Sequence, residues 1–383
     1  MNATVPFNKP FIIGRELYYV SQCILHGQSA GDGPYTKRCQ ASIGQMLCAR
    51  HVLLTTSCAS ALHMAALLCR LEPGDEVILP SYCGAAAASA FHAVGARLVF
   101  VEVDADSLNL SLDHLEDRLS DRTRVVLPYH YNGACCDMNR LRQIVDGREV
   151  RIIENAADAF GARYRDQALG TLGAFGTFSF HESKSLTCGE GGALVIGDDH
   201  DFERAEVLRE KGTNRSQFFR GQVDKYTWVD VGSSYVPSDL LAAYLAAQLE
   251  RSQEIFEQKR RIHDFYGDAF APLVETGQVQ RQHVLPDCQT NHHGFLLLVE
   301  SEPVRAALIE HLATRGITAV FHYTPLHESS MGRRLGYRPG ELPVTETVSR
   351  RVVRLPSFHD LTRPDAERVV RSVYEFYAVD PPV

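Results

Sequence analysis

The feature that most constrains the fold is the alternation of short apolar runs with helix-like segments through the first two-thirds of the chain. Strand-like runs cover Glu76 to Pro80, Arg97 to Val103, Arg124 to Pro128 and Val150 to Glu154. Helical patterns over Cys58 to Leu71 and Ala85 to Val94 lie before and after the first of these runs. Short apolar strands separated by helices predict an α/β protein whose mainly parallel sheet is covered on both faces. In such sheets, functional side chains gather at the carboxyl ends of the strands.

The pattern changes after a long helical stretch from about Ser238 to Ala269. Beyond it the sequence predicts a smaller α+β module, with a strand near Gly294 to Val299, a helix near Pro303 to Arg315, a strand over Ala319 to His322 and a final helix over about Pro364 to Tyr377. We therefore predict two domains. The large domain covers residues 1–250 and includes an N-terminal arm, and the small C-terminal domain covers residues 251–383.

Composition and charge exclude several classes of function. The net charge of −8 argues against nonspecific nucleic-acid binding. No apolar run approaches membrane-spanning length and the N-terminus lacks a signal pattern, so we expect a cytoplasmic protein that does not bind membranes. The ten cysteines include no C-x-x-C and the sixteen histidines no H-E-x-x-H, so we expect reduced thiols and no metal.

One lysine follows an apolar run at the expected edge of the sheet. The run Phe175 to Phe180 leads to Lys184, and the glycine-rich turn Gly189 to Gly192 then leads to a second strand-like run, Ala193 to Gly197. A partly desolvated lysine in this position is suited to forming a Schiff base with an aldehyde cofactor. Ser179 could donate a hydrogen bond to a phosphate. Taken alone, the segment fits a surface lysine beside an ordinary glycine turn equally well.

Three further segments are expected to converge on this lysine. Thr55 to Ala61 is a small-residue turn that opens a helix, so its free backbone N–H groups could hold a phosphate, although a plain helix cap has the same pattern. Glu154 to Asp158 closes a strand with polar groups, and Gly232 to Tyr235 is a polar turn. Neither G-x-G-x-x-G nor G-x-x-x-x-G-K-[ST] is present, so dinucleotide and P-loop functions lack their motifs.

Nearly end to end, the chain resembles the sugar aminotransferases of the DegT/DnrJ/EryC1/StrS family, which are pyridoxal-phosphate enzymes of fold type I, the aspartate-aminotransferase-like fold. The resemblance is carried by Pro6-Phe7-Asn8, Pro73-Gly74-Asp75-Glu76-Val77, Ser179-Phe180-His181-Glu182, Gly189-Glu190-Gly191-Gly192, Val320-Phe321-His322-Tyr323 and above all the long run from Arg209 to Trp228. Within the family it is most similar to enzymes that aminate the C4 ketone of dTDP-4-keto-6-deoxyglucose with glutamate, giving dTDP-4-amino-4,6-dideoxygalactose. Such an enzyme is a homodimer with shared active sites and serves deoxyamino-sugar and polysaccharide biosynthesis.

The resemblance also implies roles for individual residues around pyridoxal 5'-phosphate. Lys184 would carry the cofactor as a Schiff base and then move the proton between the amino-acid Cα and the cofactor. His181 would lie near the cofactor. The phosphate would be held by four residues, namely Ser57, Cys58, Ala59 and Ser179, and by Ser234 of the neighbouring subunit.

Substrate contacts are implied in the same way. The basic residues Arg215, Arg220 and Lys225 would meet the substrate diphosphate, which provides a local positive charge in an acidic chain. His322 and Tyr323 would contact the substrate as well. A solvated charged loop explains the three basic residues equally well.

Three positions near the cofactor depart from the family pattern. Asn155 replaces the aspartate that pairs with the pyridinium nitrogen, and an amide favours the unprotonated ring, which is the poorer electron sink. Asp158 replaces a glutamine that contacts the phenolic oxygen, or else supplies the carboxylate that Asn155 lacks. Gly84 replaces an aromatic residue that stacks on the ring, and whether Tyr82 substitutes for it is left open.

These departures keep three hypotheses open. The leading one is a nucleotide-sugar aminotransferase, because Lys184, Ser179 and the basic loop are retained. The second is a pyridoxal-phosphate enzyme with changed chemistry, such as dehydration, elimination or a retro-aldol step. The third is a catalytically weak homologue that binds nucleotide-sugar or supports an active partner subunit.

Overall fold

A central seven-stranded sheet organises the protein, whose computed structural model describes residues 4–381. Its strands are β1 (His51–Thr55), β2 (Glu76–Pro80), β3 (Arg97–Val101), β4 (Thr123–Val126), β5 (Arg151–Asn155), β8 (Phe175–Ser179) and β9 (Gly192–Ile196), and the short hairpin strands β6 (Arg163–Tyr164) and β7 (Gln167–Ala168) lie between β5 and β8 in sequence. The order across the sheet is β1-β9-β8-β5-β4-β2-β3. Strand β9 runs antiparallel to both of its neighbours, and the remaining pairs are parallel. The predicted mainly parallel sheet is therefore confirmed.

Helices cover both faces of this sheet. They are α1 (Glu16–Leu25), α2 (Pro34–Leu47), α3 (Cys58–Leu68), α4 (Ala85–Ala93), α5 (Leu112–Arg118), α6 (Met138–Ile144), α7 (Asp199–Arg209), α8 (Arg215–Phe219) and α9 (Asp239–Glu250). Because side chains alternate along a strand, Ile78 of β2 packs into the cluster formed with α1, α2 and α9, whereas Val77 and Leu79 pack into the cluster formed with α3, α4 and α7. Burial on both faces explains why these strands are continuously apolar.

The C-terminal part has its own hydrophobic cluster. The elements of this part of the chain are α10 (Ser252–Glu275), β10 (Cys288–Gln289), β11 (Phe295–Leu298), α11 (Glu302–Thr314), α12 (Ser330–Arg334), α13 (Pro343–Ser349), β12 (Val352–Leu355) and α14 (Arg363–Tyr377). Strands β11 and β12 form an antiparallel pair whose buried side chains meet α10, α11 and α14. Val5 belongs to the same cluster, so the N-terminal arm crosses to this part of the molecule. The domain division at residue 250 stays a prediction.

Two predicted elements are wrong in detail. The long helix from Ser238 is interrupted at Arg251, whose φ of −111° and ψ of 16° separate α9 from α10. The break lets α9 pack under the large sheet while α10 follows the C-terminal cluster. The predicted strand over Ala319 to His322 is reduced to one bridge between Val320 and Arg354. After that bridge the chain returns to the large sheet, where the Leu326 N–H donates to the Ser81 carbonyl (2.8 Å).

None of the helices over residues 4–381 combines the length and the apolar character that crossing a membrane requires.

A buried carboxyl group at the end of β5 ties the sheet to the loop that follows it. Glu154 is inaccessible to solvent. Its Oε1 accepts from the backbone N–H of Leu172 (2.6 Å) and Gly173 (2.7 Å), and its Oε2 accepts from the N–H of Gly170 (2.8 Å). The ring nitrogen Nε2 of His130 lies 2.9 Å from Oε2. The loop between β5 and β8 therefore depends on both oxygens of this side chain.

We expect Glu154→Gln to lower the free energy of unfolding by about 3 kcal/mol, because the new NH₂ group faces buried N–H donors. The measurement is urea unfolding followed by circular dichroism. Glu257→Gln on α10, where the Glu257 side chain is 42% exposed and pairs with Arg260 and Arg261, is the matched control and should unfold like the parent chain. Equal losses in both variants would contradict this role of Glu154.

Candidate active site

The site lies where the parallel strands β5 and β8 end together. In their register Asn155 is opposite Thr177, so Asn155 and Ser179 lie at the same carboxyl edge of the sheet. Asp158 follows β5 and Lys184 follows β8. The topology therefore brings these four residues to one edge, as the sequence predicted.

A tight loop between β8 and β9 holds Lys184. The Glu182 N–H donates to the Gly189 carbonyl (2.9 Å) and the Lys184 N–H donates to the His181 carbonyl (2.9 Å). Gly189 has a φ of +83°, which favours glycine. Gly192 begins β9 beside helix α3, and a Cβ at that position would lie 2.3 Å from the carbonyl carbon of Ser57. Glycine therefore allows the return strand to pack against the start of the helix.

Lys184 and Asp158 form an ion pair that is nearly removed from water. Lys184 Nζ lies 2.6 Å from Asp158 Oδ1, and the two side chains are 16% and 1% exposed. The other oxygen, Oδ2, accepts from the Tyr129 hydroxyl (2.6 Å) and from the Asn132 N–H (3.2 Å). Burial and the Asp158 charge raise the pKa of Tyr129, so its hydroxyl keeps the proton that it donates. Asp158 is thus held by donors on both oxygens.

The charge of Asp158 is maintained by its cationic surroundings. Burial by itself would raise the pKa of Asp158, but the charges of Lys184 and then Arg354 outweigh it and hold that pKa well below its ordinary value. His293 Nε2 lies 3.5 Å from Oδ1, and burial lowers the pKa of His293 well below its ordinary value. Asp158 is therefore an anion facing the Lys184 amine, an arrangement that a neutral side chain could not provide.

The start of helix α3 provides an anion cradle next to this pair. Ser57 Oγ accepts from the Ser60 N–H (3.1 Å) and the Ser57 carbonyl accepts from the Ala61 N–H (3.1 Å). Since the first amides of a helix have no partner within it, those of Cys58 and Ala59 are available to a ligand. Burial raises the pKa of the Cys58 thiol to about 11, while the Thr177 hydroxyl and the Lys184 charge act in the opposite direction. The cradle and Lys184 are therefore neighbours.

Asn155 and Gly84 are two of the three positions that the resemblance marks as departures. The structure has a buried amide at the first and open space at the second. Asn155 is buried, and its Oδ1 accepts from the Ala157 N–H (3.3 Å), so an amide and not a carboxylate closes β5. A Cβ added to Gly84 would meet no heavy atom within 4 Å. Tyr82 does not take over the aromatic role, because its ring has no exposed surface and packs edge-on against Tyr131 (5.2 Å between centroids).

On the other side of Lys184 the N-terminal arm and the C-terminal part border a cavity of about 70 Å³. It is lined by Phe7, Asn8, Ser183, Lys184, His293, Gly294, His322, Tyr323, Arg354, Leu355 and Ser357. Two predicted substrate residues, His322 and Tyr323, are therefore in place beside Lys184. Sequence analysis missed Arg354 and His293. The sequence features that could have indicated them are a charged residue inside the buried strand β12 and a histidine just before β11.

Other predicted residues lie away from this cavity. Half-exposed His181 has its Nδ1 2.9 Å from Ser183 Oγ. Ser234 is exposed, and so is Lys225. On the surface, Arg215 pairs with Glu210 (3.4 Å) and Arg220 with Glu206 (2.8 Å). The roles of these five residues stay predictions, and the role predicted for Ser234 involves a second chain.

The residues present fit pyridoxal phosphate. Lys184 supplies an amine for the aldehyde, and Ser179 and the start of α3 supply donors for the phosphate. Asn155 lies at the strand end where the ring nitrogen would need a partner. The one mismatch is that this partner is neutral.

Comparison with known proteins agrees with the geometry. The sequence profile of the DegT/DnrJ/EryC1/StrS aminotransferase family matches residues 11–374. The aminotransferase TlmJ from Streptoalloteichus hindustanus is 29% identical, with 99% of both chains covered and a TM-score of 0.88. DesV from S. venezuelae, solved in complex with a ketimine intermediate, is 30% identical over 98% of this chain and 99% of its own, with a TM-score of 0.88. The PLP-form of Spr1654 from Streptococcus pneumoniae, 24% identical over 98% and 99%, shares the fold with a TM-score of 0.90.

These findings confirm the resemblance, the type I fold of pyridoxal-phosphate enzymes and the cofactor. The chain is an enzyme that uses pyridoxal phosphate.

We expect Gly84→Tyr to tighten cofactor binding about fivefold, because Gly84 has open space for a ring and stacking contributes about 1 kcal/mol. The measurement is cofactor dissociation during dialysis, followed by absorbance. Ser89→Tyr adds the same ring to the exposed face of α4 and is the control. Unchanged retention in Gly84→Tyr would mean that the ring does not lie over this position.

Proposed function

The chain belongs to the DegT/DnrJ/EryC1/StrS aminotransferase family, and we propose that it transfers an amino group from glutamate to a nucleotide-linked 4-keto-6-deoxy sugar. We propose dTDP-4-keto-6-deoxyglucose as acceptor and dTDP-4-amino-4,6-dideoxygalactose as product. The observation that carries the amino transfer is the Lys184 amine held 2.6 Å from Asp158 at the edge of the sheet. The choice of sugar rests on the similarity of the run from Arg209 to Trp228.

The residues around Lys184 have distinct tasks in this reaction. When bound, pyridoxal phosphate supplies an aldehyde for amines and a ring that accepts electrons from the substrate. The Lys184 amine would be the base that moves the proton. Asp158 orients the Lys184 amine, and Tyr129 and the Asn132 N–H orient Asp158 in turn. The α3 start and Ser179 would hold the phosphate.

We also propose a homodimer that completes each site. Large apolar side chains are exposed on α1, including Leu17 (71%) and Leu25 (76%), and Trp228 in the loop after α8 is 77% exposed. Apolar surface of this kind is typical of protein interfaces. In a homodimer Ser234 would contact the neighbouring phosphate, and Arg215, Arg220 and Lys225 would meet the substrate diphosphate. A cytoplasmic location and a role in polysaccharide biosynthesis remain predictions.

One observation favours a second candidate function. Asn155 gives the ring nitrogen no carboxylate, and a ring with altered electron-accepting capacity agrees with a reaction of different electron demand, such as a dehydration or elimination. Gly84 provides no aromatic ring to stack on the cofactor. This agrees with a pocket rebuilt for changed chemistry, or with a catalytically weak subunit that binds nucleotide-sugar.

A glutamate titration tests the proposal. Purified protein loaded with pyridoxal phosphate is mixed with glutamate, and the absorbance of the aldehyde form should fall as the amine form accumulates. Addition of the dTDP-linked keto-sugar should restore it, with the amino-sugar detected by mass spectrometry. Lys184→Ala is the control and should show no such change. A spectrum indifferent to glutamate would favour changed chemistry, and protein that cannot be loaded would favour the binding subunit.

We expect Asn155→Asp to accelerate the half-reaction with glutamate at least tenfold, because a carboxylate raises the pKa of the ring nitrogen and each unit is about 1.4 kcal/mol. Stopped-flow absorbance gives the rate. Asn139→Asp makes the same change on helix α6 and should leave the rate unaltered. No gain in Asn155→Asp would indicate that Asp158 already supplies the charge that the ring needs.

A further inference from the structure

Two cysteines from distant parts of the chain lie in contact. Cys135 is in the loop that leads from β4 to α6, and Cys288 is on β10. The Cys135 N–H donates to Cys288 Sγ (3.1 Å), and the two thiols are hydrogen-bonded to each other. Cys135 is 2% exposed, whereas Cys288 is partly exposed. The pair therefore has one sheltered sulfur atom and one that a small molecule can reach.

These contacts make Cys288 the more reactive of the two. The thiol of Cys135 and its backbone N–H both donate to Cys288 and lower the pKa of Cys288, although burial acts against them. The same thiol contact, together with burial, raises the pKa of Cys135. Burial raises the pKa of the adjacent Cys136 to about 12. Since the thiolate is the nucleophilic form of cysteine, Cys288 is the sulfur that attacks, and Cys135 is the protonated partner beside it.

Each of these two cysteines is three residues away from a contact with Asp158. The Asn132 N–H donates to Asp158 Oδ2 (3.2 Å). The Asn291 side chain donates through Nδ2 to the Asp158 carbonyl (2.8 Å). Both segments therefore support the carboxylate that faces Lys184, and a movement of either cysteine reaches that carboxylate along a short stretch of chain.

We propose that Cys135 and Cys288 are a redox-sensitive pair that closes to a disulfide when a peroxide is present and thereby weakens cofactor binding. The Cys288 sulfur attacks one oxygen of hydrogen peroxide, the O–O bond breaks, and the products are a sulfenic acid on Cys288 and one water. The Cys135 sulfur then attacks the Cys288 sulfur, the S–O bond breaks, and the hydroxide leaves as a second water with the Cys135 proton. In total two thiols are oxidised by two electrons and the peroxide is reduced to water. A thiol reductant reverses the reaction by disulfide exchange.

Closure of the pair would change the support of Asp158. A covalent S–S bond is shorter than a contact between two thiols, so its formation draws the loop after β4 and strand β10 together. Asn132 and Asn291 move with these segments, and Asp158 loses the Asn132 N–H. A carboxylate with fewer donors orients Lys184 less firmly, and the cofactor that Lys184 would carry is then held less tightly.

Peroxide treatment of the full-length, cofactor-loaded protein tests this pair. Free thiols are titrated after denaturation, and linked peptides are identified by mass spectrometry, in the reduced parent chain and in Cys135→Ser, Cys288→Ser and Cys48→Ser. We expect the parent chain to lose two thiols, to yield a peptide that links Cys135 to Cys288, and to recover both thiols with dithiothreitol. Cys48 is exposed, and Cys48→Ser is the matched control that should form the same link. Cys288→Ser should form no link, and Cys135→Ser should stop at a sulfenic acid on Cys288 that dimedone labels.

Cofactor binding by the same proteins tests the effect on the site. We expect oxidation of the parent chain to raise the dissociation constant of pyridoxal phosphate about fivefold, the effect of losing one hydrogen bond. Peroxide should leave the constant of Cys288→Ser unchanged, and thermal unfolding verifies that each variant is folded. A parent chain that keeps its thiols or links other cysteines would overturn the proposal, as would a linked pair with unaltered cofactor binding. No keto-sugar is used, so these results are independent of the proposed amino transfer.

Discussion

The ion pair between Lys184 and Asp158 is the interaction on which the site depends. Its two members come from different strand ends, so it forms only when β5 and β8 lie side by side in parallel register. Other contacts in and around the sheet hold the two strand ends in this alignment. Glu154 fixes the loop that leaves β5, and the Gly189 turn returns the chain along β9, so both partners are held on short, hydrogen-bonded segments. A reactive amine is thereby kept in one position in a nearly dry environment.

Much of this could be predicted from the sequence because local rules decide it. β2 was predicted with its observed bounds and α4 within one residue of them, since continuous apolar runs and an alanine-rich segment leave few alternatives. The segments that carry Lys184, Asn155 and the start of α3 were located from their positions at strand ends and helix starts, whereas the roles of these residues were implied by the resemblance. Helices α1 and α2 were missed, because polar positions interrupt their apolar residues, and α2 also contains proline and glycine.

The residues that escaped prediction are those whose role arises from long-range contact. Arg354 is one charge in an apolar strand, and nothing near it in sequence indicates that β12 faces the same cavity as Lys184. The distance in sequence between Asp158 and His293 hides their contact in the same way. The resemblance identified Asp158 as a departure from the family, but only the structure shows that the substituted carboxylate pairs with the reactive lysine. The local sequence pattern thus predicts which segments carry reactive residues, and the fold determines which charged side chains come into contact there.

Charge distribution explains how an acidic protein can act on anionic ligands. The chain carries a net charge of −8, yet Lys184, Arg354 and the amides at the start of α3 converge on one edge of the sheet, with Asp158 as the neighbouring carboxylate. Buried cations act at short range through low-dielectric surroundings, whereas the surface acids are screened by salt within about 10 Å. For a ligand that has entered the cavity, the nearby excess of positive charge therefore outweighs the net negative charge of the whole chain. Neutral Asn155 and neutral His322 preserve that excess, because a carboxylate at either position would cancel part of it.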